Sequence, residues 1–293
     1  MTMSGSMHHT AREEDNTNYF VIKCGGSVLK QLPNEFYHDI VKLKKEYNIH
    51  PVIVHGGGPE ISEMLEKASI ETQFADGLRV TTDEMVDIVE MVLSGKINKR
   101  IVKKIYQAGG NAVGVSGVDG AMFTCEVTDR ALGRVGSIKN VDADLITQLS
   151  ESGYIPIVSP ISMDENGETL NINGDEAASA VAKALEAEIC LVSDIPGIYE
   201  IVDGKQVVFP LLNEEKITRL IDNGVIFGGM IPKVKGALSA LSEQVRSVII
   251  LDGRETKALR KAVEHGQIGT RIIRKELGDV TANETVRKSY ENL

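Results

Sequence analysis

Two short apolar runs, Tyr19-Phe20-Val21-Ile22-Lys23 and Pro51-Val52-Ile53-Val54, are each stopped by glycines: Gly25-Gly26 ends the first and Gly56-Gly57-Gly58 the second. Helical spacing resumes after both, with Phe36, Ile40, Leu43 and Tyr47 in one case and Ile61, Met64 and Leu65 in the other. An apolar run of this length that ends in glycine reads as a buried strand entering a turn. Strand, glycine turn and helix in repetition predict an α/β sheet whose strands are largely parallel.

The remaining chain continues the rhythm. Residues 71–81 read as extended, and two helical segments follow at about 82–93 and 95–108. Strands are predicted at 112–116, 155–158, 189–193, 248–251 and 270–273, with helices near 142–152, 213–223, 231–243 and 255–264. The glycine-rich, alternating stretch 117–141 suggests small antiparallel strands, and a hairpin is expected around 164–169. Asn171-Ile172-Asn173-Gly174-Asp175 leads into an Ala-rich helical pattern running to about Ala187. Such a stretch is either a plain turn and cap or, at a helix N-terminus with unpaired N–H groups, a place for an anion.

A chain of 293 residues, 42% hydrophobic and 25% charged, can bury a sizeable core. The expectation is one folded unit with two lobes, about 19–174 and 175–276, flanked by polar segments 1–18 and 277–293. The first segment has no apolar stretch of signal-peptide type, and no metal role is read into His8 and His9. No apolar run approaches the roughly 18 residues that span a bilayer. The formal charge of −10 argues against general nucleic-acid binding, which needs clustered Lys and Arg to neutralise phosphates. Lys96, Lys99, Arg100, Lys103 and Lys104 form the nearest approach to a basic patch, and a solvated helix face is the ordinary meaning. Three scattered cysteines, Cys24, Cys125 and Cys190, fit a reducing cytoplasm.

Neither the Walker pattern nor a strict Gly-x-Gly-x-x-Gly after the first strand is present. The glycine turns can still cradle oxyanions, because glycine lets backbone N–H groups approach a phosphate or carboxylate closely. Lys23, at the end of a buried strand, needs a compensating anion unless it snorkels to solvent. Asp175 is an available partner, and Lys233 supplies a second ammonium. Two Lys held by one Asp beside oxyanion sites suit phosphoryl transfer, where an enzyme chiefly positions the reactants and offsets developing charge. Histidines are few beyond the first segment: His38, His50, His55 and His265. A carboxylate nucleophile, with a pKa of about 4, needs no general base, so that scarcity is consistent with a carboxylate acceptor.

Six motifs in order, Lys23-x-Gly25-Gly26, His55-Gly56-Gly57-Gly58, Gly77-Leu78-Arg79-Val80-Thr81, Asn171-x-Asn173-x-Asp175, Ser193-Asp194-x-x-Gly197 and Gly229-Met230-x-Pro232-Lys233, resemble the amino acid kinase family. Gly77–Thr81 discriminates best among them, and the resemblance runs from about Tyr19 to Arg274. It implies a three-layer αβα sandwich with a largely parallel central sheet, an N-terminal amino-acid lobe and a C-terminal nucleotide lobe. The implied reaction moves the γ-phosphoryl group of ATP, with Mg²⁺ bridging its phosphates, to the side-chain carboxylate of N-acetyl-L-glutamate, a step of arginine biosynthesis. Lys23 and Lys233 then stabilise the transferring group and Asp175 orients both. Gly57 and Gly58 meet the acceptor carboxylate, Arg79 the α-carboxylate, and Asn171 the acetylamino end. Gly25 and Gly26, the loop Asp194, Ile195, Pro196, Gly197, Ile198 and Tyr199, and the segment Val225, Ile226 and Phe227 fall to the nucleotide.

Departures from the family pattern are Cys24 in place of Leu and Gly174 in place of the commoner Ala. Residues 1–18 lack the apolar stripe of the helix that joins arginine-inhibited members into hexamers, and 254–266 lack the arginine-site signature. A homodimer with weak or absent arginine feedback is therefore expected. Rival readings are a kinase of the same family for another acid (an N-blocked aminoadipate, aspartate or carbamate) and a catalytically silent amino-acid sensor.

Overall fold

The computed structural model describes residues 18–75, 77–264 and 268–274. Expectations for 1–17, for His265 and for the tail from 277 lie outside them.

An eight-stranded sheet forms the middle layer. Across it the strands run Leu211–Asn213, Thr270–Ile273, Ser247–Asp252, Glu188–Ser193, Asn18–Cys24, Ile49–His55, Ile155–Ser159 and Ala112–Ser116. The last six are mutually parallel; Thr270–Ile273 runs antiparallel to Ser247–Asp252, and Leu211–Asn213 follows it. The largely parallel sheet read from the glycine-punctuated runs is present.

Successive side chains of a strand face opposite ways, and both faces are apolar. Ile22, Ile53, Ile157, Cys190 and Ile249 enter one core, roofed by helices Asn34–Glu46, Gly58–Lys67 and Ala258–Glu264. Val21, Val52, Val158, Ile189 and Val248 enter the other, beneath helices Gly174–Ala184, Glu214–Asp222 and Met230–Ala240. Helices cover both faces, giving three layers. Cys24 and Cys190 sit fully inside the first core, where burial pushes the Cys24 thiol up to about 12 and leaves it inert. No helix among the described residues is long and apolar enough to cross a membrane.

Two features differ from the sequence reading. The pair of helices at 82–93 and 95–108 is one continuous rod from Asp83 to Gln107, with a π-helical stretch Met91–Ile97 in its middle. Ser94-Gly95 suggests a break because glycine costs a helix about 1 kcal/mol. Burial of Val92, Leu93 and Ile97 on either side outweighs that cost. The second is a hairpin, Tyr199–Val202 with Lys205–Val208, absent from the sequence reading although its Asp203-Gly204 turn, both residues at positive φ, carries the ordinary two-residue signal.

Candidate active site

The parallel strands end together. In register, Cys24 lies beside His55 on one side and Val192 on the other, while Ser193 lies beside Asp252. The turns leaving these strands therefore meet along one edge of the sheet. A cleft of about 310 Å³ opens there, lined by Lys23, Gly25, Asn173, Asp175, Ser193, Asp194 and Lys233 among others. Two lysines 210 positions apart thus face one cavity.

Their partners differ from the sequence expectation. Lys23 Nζ lies 2.8 Å from Asp175 Oδ1, with the lysine side chain 15% exposed. Lys233, from the first turn of Met230–Ala240, pairs with Asp194 and donates to Ser193 Oγ at 3.0 Å. Asp175 is thus the partner of one ammonium, and Asp194, expected on the nucleotide side, is the partner of the other. The Lys233 hydrogen bond holds the Asp194 carboxyl below the usual carboxylate range. Asp175 is set by its helix start: Asn173 caps Gly174–Ala184, its Oδ1 accepting from the amides of Asp175 at 2.8 Å and Glu176 at 3.3 Å. A Cβ at Gly174 would meet only ordinary contacts, the nearest 3.6 Å away, so the family's commoner Ala would fit.

The two glycine turns are packed backbone to backbone. Gly56 N donates to Cys24 O at 2.9 Å, and a Cβ on Gly26 would lie 2.9 Å from the amide nitrogens of both Gly57 and Gly58. Gly57 caps helix Gly58–Lys67 and is pressed against the π-helical stretch, where its Cβ would fall 2.5 Å from Ile97 Cδ1 and 2.6 Å from Leu93 Cδ2. The first turn of a helix leaves its N–H groups without intrahelical partners, so this one offers an anion site.

Arg79 stands over the same helix. Its Nη2 donates to Gly58 O at 3.0 Å and Ser62 Oγ at 2.7 Å, and its Cζ lies 4.7 Å from the Phe74 ring centroid. Its Nη1 is buried with no hydrogen-bond partner among the described residues. Asn171 Nδ2 donates to Thr81 Oγ1 at 3.0 Å, joining the strand Thr169–Ile172 to the residue two beyond Arg79. Of the residues expected to meet a nucleotide, Phe227 is exposed and Tyr199 half-buried, whereas Ile198 and Ile226 are core residues that can act only by holding their loops.

The sequence pattern of the amino acid kinase family matches residues 18–252. The chain belongs to that family. It is 50% identical over 260 residues to the acetylglutamate kinase of Geobacillus kaustophilus, covering 88% of this chain and 97% of that one. The acetylglutamate kinase of Oceanobacillus iheyensis is 44% identical over 261 residues, 89% of this chain and 98% of the relative. Among solved structures, smu.665 of Streptococcus mutans UA159 superposes with a TM-score of 0.73 at 29% identity, covering 87% of this chain and 98% of that one.

Within this amino acid kinase, the lysine-rich face is not merely solvated. Arg100 forks onto the buried carboxylate of Glu60 at 2.9 and 2.6 Å, Lys96 lies 3.5 Å from it, and Lys99 reaches Gly114 O at 2.9 Å. Glu60 sits in the first turn after the glycines, so this pair anchors the anion-binding helix start to the long rod; an i, i+4 basic spacing hints at it, but its acidic partner is 40 residues away. His55 is fully buried, its Nδ1 on Gly56 O at 3.1 Å, and burial lowers its pKa to about 4. A neutral, enclosed imidazole fits a packed turn residue rather than a base. No group of three or more His, Cys, Asp or Glu among the described residues could hold a metal ion.

Proposed function

We propose that the chain is an acetylglutamate kinase: it transfers the γ-phosphoryl group of ATP to the side-chain carboxylate of N-acetyl-L-glutamate, in arginine biosynthesis. The observation that carries this reading is the convergence of Lys23 and Lys233 on one cleft, each ammonium held by its own aspartate. The names and coverage of the curated relatives support it.

In this reading the acceptor lies across the first turn of Gly58–Lys67, its side-chain carboxylate on the N–H groups of Gly57 and Gly58. Its α-carboxylate takes the unpartnered Nη1 of Arg79, and Asn171 holds the acetylamino end. The triphosphate rests on Gly25 and Gly26, with its base and ribose toward Asp194–Tyr199 and Val225–Phe227. The carboxylate oxygen attacks the γ-phosphorus and ADP leaves. Lys23 and Lys233 stabilise the charge spread over the three equatorial oxygens, and Asp175 and Asp194 hold them in place. Mg²⁺ fits here only as a companion of the nucleotide, because each of the two carboxylates facing the cleft is already matched by an ammonium. The ion adds positive charge at the phosphates. The N-terminal lobe serves the acid and the C-terminal lobe the nucleotide, in a cytoplasmic homodimer with weak or absent arginine feedback.

The test is turnover with ATP across candidate acids, trapping the acyl phosphate with hydroxylamine. N-acetyl-L-glutamate should be preferred over its one-methylene neighbours, and Lys23→Ala and Lys233→Ala should each lower kcat by about 10²–10³, the usual effect of deleting one transition-state donor. Folded variants with full turnover, or a better acid, would sink the proposal.

A further inference from the structure

Arg254 lies outside every motif and does not line the cleft, yet its side chain reaches three segments that surround it. Nε lies 2.9 Å from Asp252 Oδ1, and Nη2 is 2.7 Å from Asp252 Oδ2. The same Nη2 donates to the main-chain oxygen of Asp194 at 2.8 Å, and Nη1 reaches Gln31 Oε1 at 3.4 Å. Gln31 in turn donates through Nε2 to Ser27 O at 3.2 Å, in the turn that follows Gly25-Gly26. The backbone that permits this is tightly built: a Cβ on Gly253 would lie 2.4 Å from Val192 Cγ1 and 2.6 Å from Leu32 Cδ2. With no side chain there, the chain leaving the strand Ser247–Asp252 folds back over the neighbouring strand end, and Arg254 points along the edge of the sheet.

We propose that Arg254 is a positioning residue that fixes Lys233 through Asp194 and ties the nucleotide-side loop to the glycine turn after the first strand. This rests on the kinase reading above. Asp194 has two ends. Its carboxylate pairs with Lys233, and its carbonyl is held by Arg254. With the carbonyl released, the loop has freedom to carry the carboxylate, and Lys233 with it, away from the transferring phosphoryl group. Geometry of this kind is costly to lose, since displacements of about 1 Å remote from the chemistry reduce rates on the order of 10²-fold. The fixed fork of the guanidinium grips the Asp252 carboxylate through Nε and Nη2 while the same Nη2 holds the Asp194 carbonyl; a lysine ammonium lacks that pre-set planar geometry.

A purely structural role is the competing explanation, because Asp252 is 12% exposed and loses its ion pair in Arg254→Ala. The double variant Arg254→Ala/Asp252→Asn separates the two. It removes the stranded carboxylate while leaving Asp194 O without its donor. Steady-state kinetics would be measured with ATP and N-acetyl-L-glutamate each varied, on wild type, Asp252→Asn, Arg254→Lys and the double variant, beside thermal unfolding. The expected result is near-wild-type activity in Asp252→Asn. In both Arg254 variants kcat should fall at least tenfold and the KM for ATP rise severalfold, with the KM for N-acetyl-L-glutamate within twofold of wild type. Recovery of both kcat and ATP KM in the double variant, or equal losses for both substrates in step with a lowered Tm, would overturn the inference. A wild-type chain without turnover would instead overturn the kinase reading.

Discussion

Arg79→Lys separates binding from folding more sharply than any other single change. The guanidinium has one nitrogen, Nη2, committed to Gly58 O and Ser62 Oγ, and one, Nη1, buried and unpartnered. In the proposed complex that free donor meets the acceptor's α-carboxylate. Hydrogen bonds to charged groups contribute about 1.5–3 kcal/mol each, so losing one or two of them removes about 1.5–6 kcal/mol of acceptor binding. At 1.4 kcal/mol per tenfold, kcat/KM for N-acetyl-L-glutamate should fall by roughly 10–10⁴, centred near 10² to 10³. Lysine keeps the charge but not the fork, so the loss is one of geometry.

The free protein should register little. Removing the guanidinium costs the bonds to Gly58 O and Ser62 Oγ, about 1.5–3 kcal/mol each, and also removes a buried unsatisfied donor that costs about 1–3 kcal/mol, so the net loss is about that of one such bond. The Tm should therefore move by only a few degrees, while stabilisation by added N-acetyl-L-glutamate disappears. Kinetics with both substrates varied, together with thermal unfolding with and without the acid, provide the assay. A fall in acceptor kcat/KM of less than threefold, or a rise in ATP KM matching that for the acid, would refute the assignment of Arg79.

Gly57→Ala tests the packing of the turn Gly56–Gly58 against the π-helical stretch. The cost, about 1–3 kcal/mol, is overpacking against Leu93 and Ile97, and the KM for N-acetyl-L-glutamate should rise more than that for ATP. Unchanged stability in urea unfolding would contradict the close packing. His55 should make stability depend on acid pH. Its folded pKa of about 4 lies below the ordinary 6.5, so its contribution is complete above pH 6.5 and is lost as pH falls toward 4, about 3 kcal/mol in all. His55→Gln should flatten that part of the stability–pH curve, and an unaltered slope would show that the imidazole titrates normally.

The strands were legible because buried parallel strands leave continuous apolar runs, and glycine marks where several of them stop, at Gly25, Gly56, Gly117 and Gly253. That Lys23 and Lys233 belong to one site was legible from motif order, but the identity of their partners was not. Asp175 and Asp194 both lie at the cleft, and which of them reaches Lys233 depends on where the helix Met230–Ala240 packs against the sheet, a tertiary fact absent from local spacing. The same limit hid Glu60, whose charge makes sense only once the rod carrying Arg100 lies across the glycine turn. Helix Asp83–Gln107 failed for the opposite reason: the local signal at Ser94-Gly95 was real, and burial outweighed it. Arg254 gave no signal at all, since an Asp-Gly-Arg after a strand is ordinary turn chemistry.

The position of the cleft follows from strand order. From Asn18–Cys24 the chain adds strands Ile49–His55, Ile155–Ser159 and Ala112–Ser116 to one side of the sheet. Only afterwards does it cross to place Glu188–Ser193 and Ser247–Asp252 on the other side. Turns leaving strands on opposite sides of such a reversal diverge, and the crevice between them is where open parallel sheets bind ligands. Lys23 is the penultimate residue of the strand at that reversal, with the turn Gly56–Gly58 on one flank and Asp194 on the other. In the proposed complex a group passing from nucleotide to acid crosses this line. In that complex a lysine near the end of any strand farther out would face only one of the two substrates, whereas Lys23 stands on the strand where the order reverses.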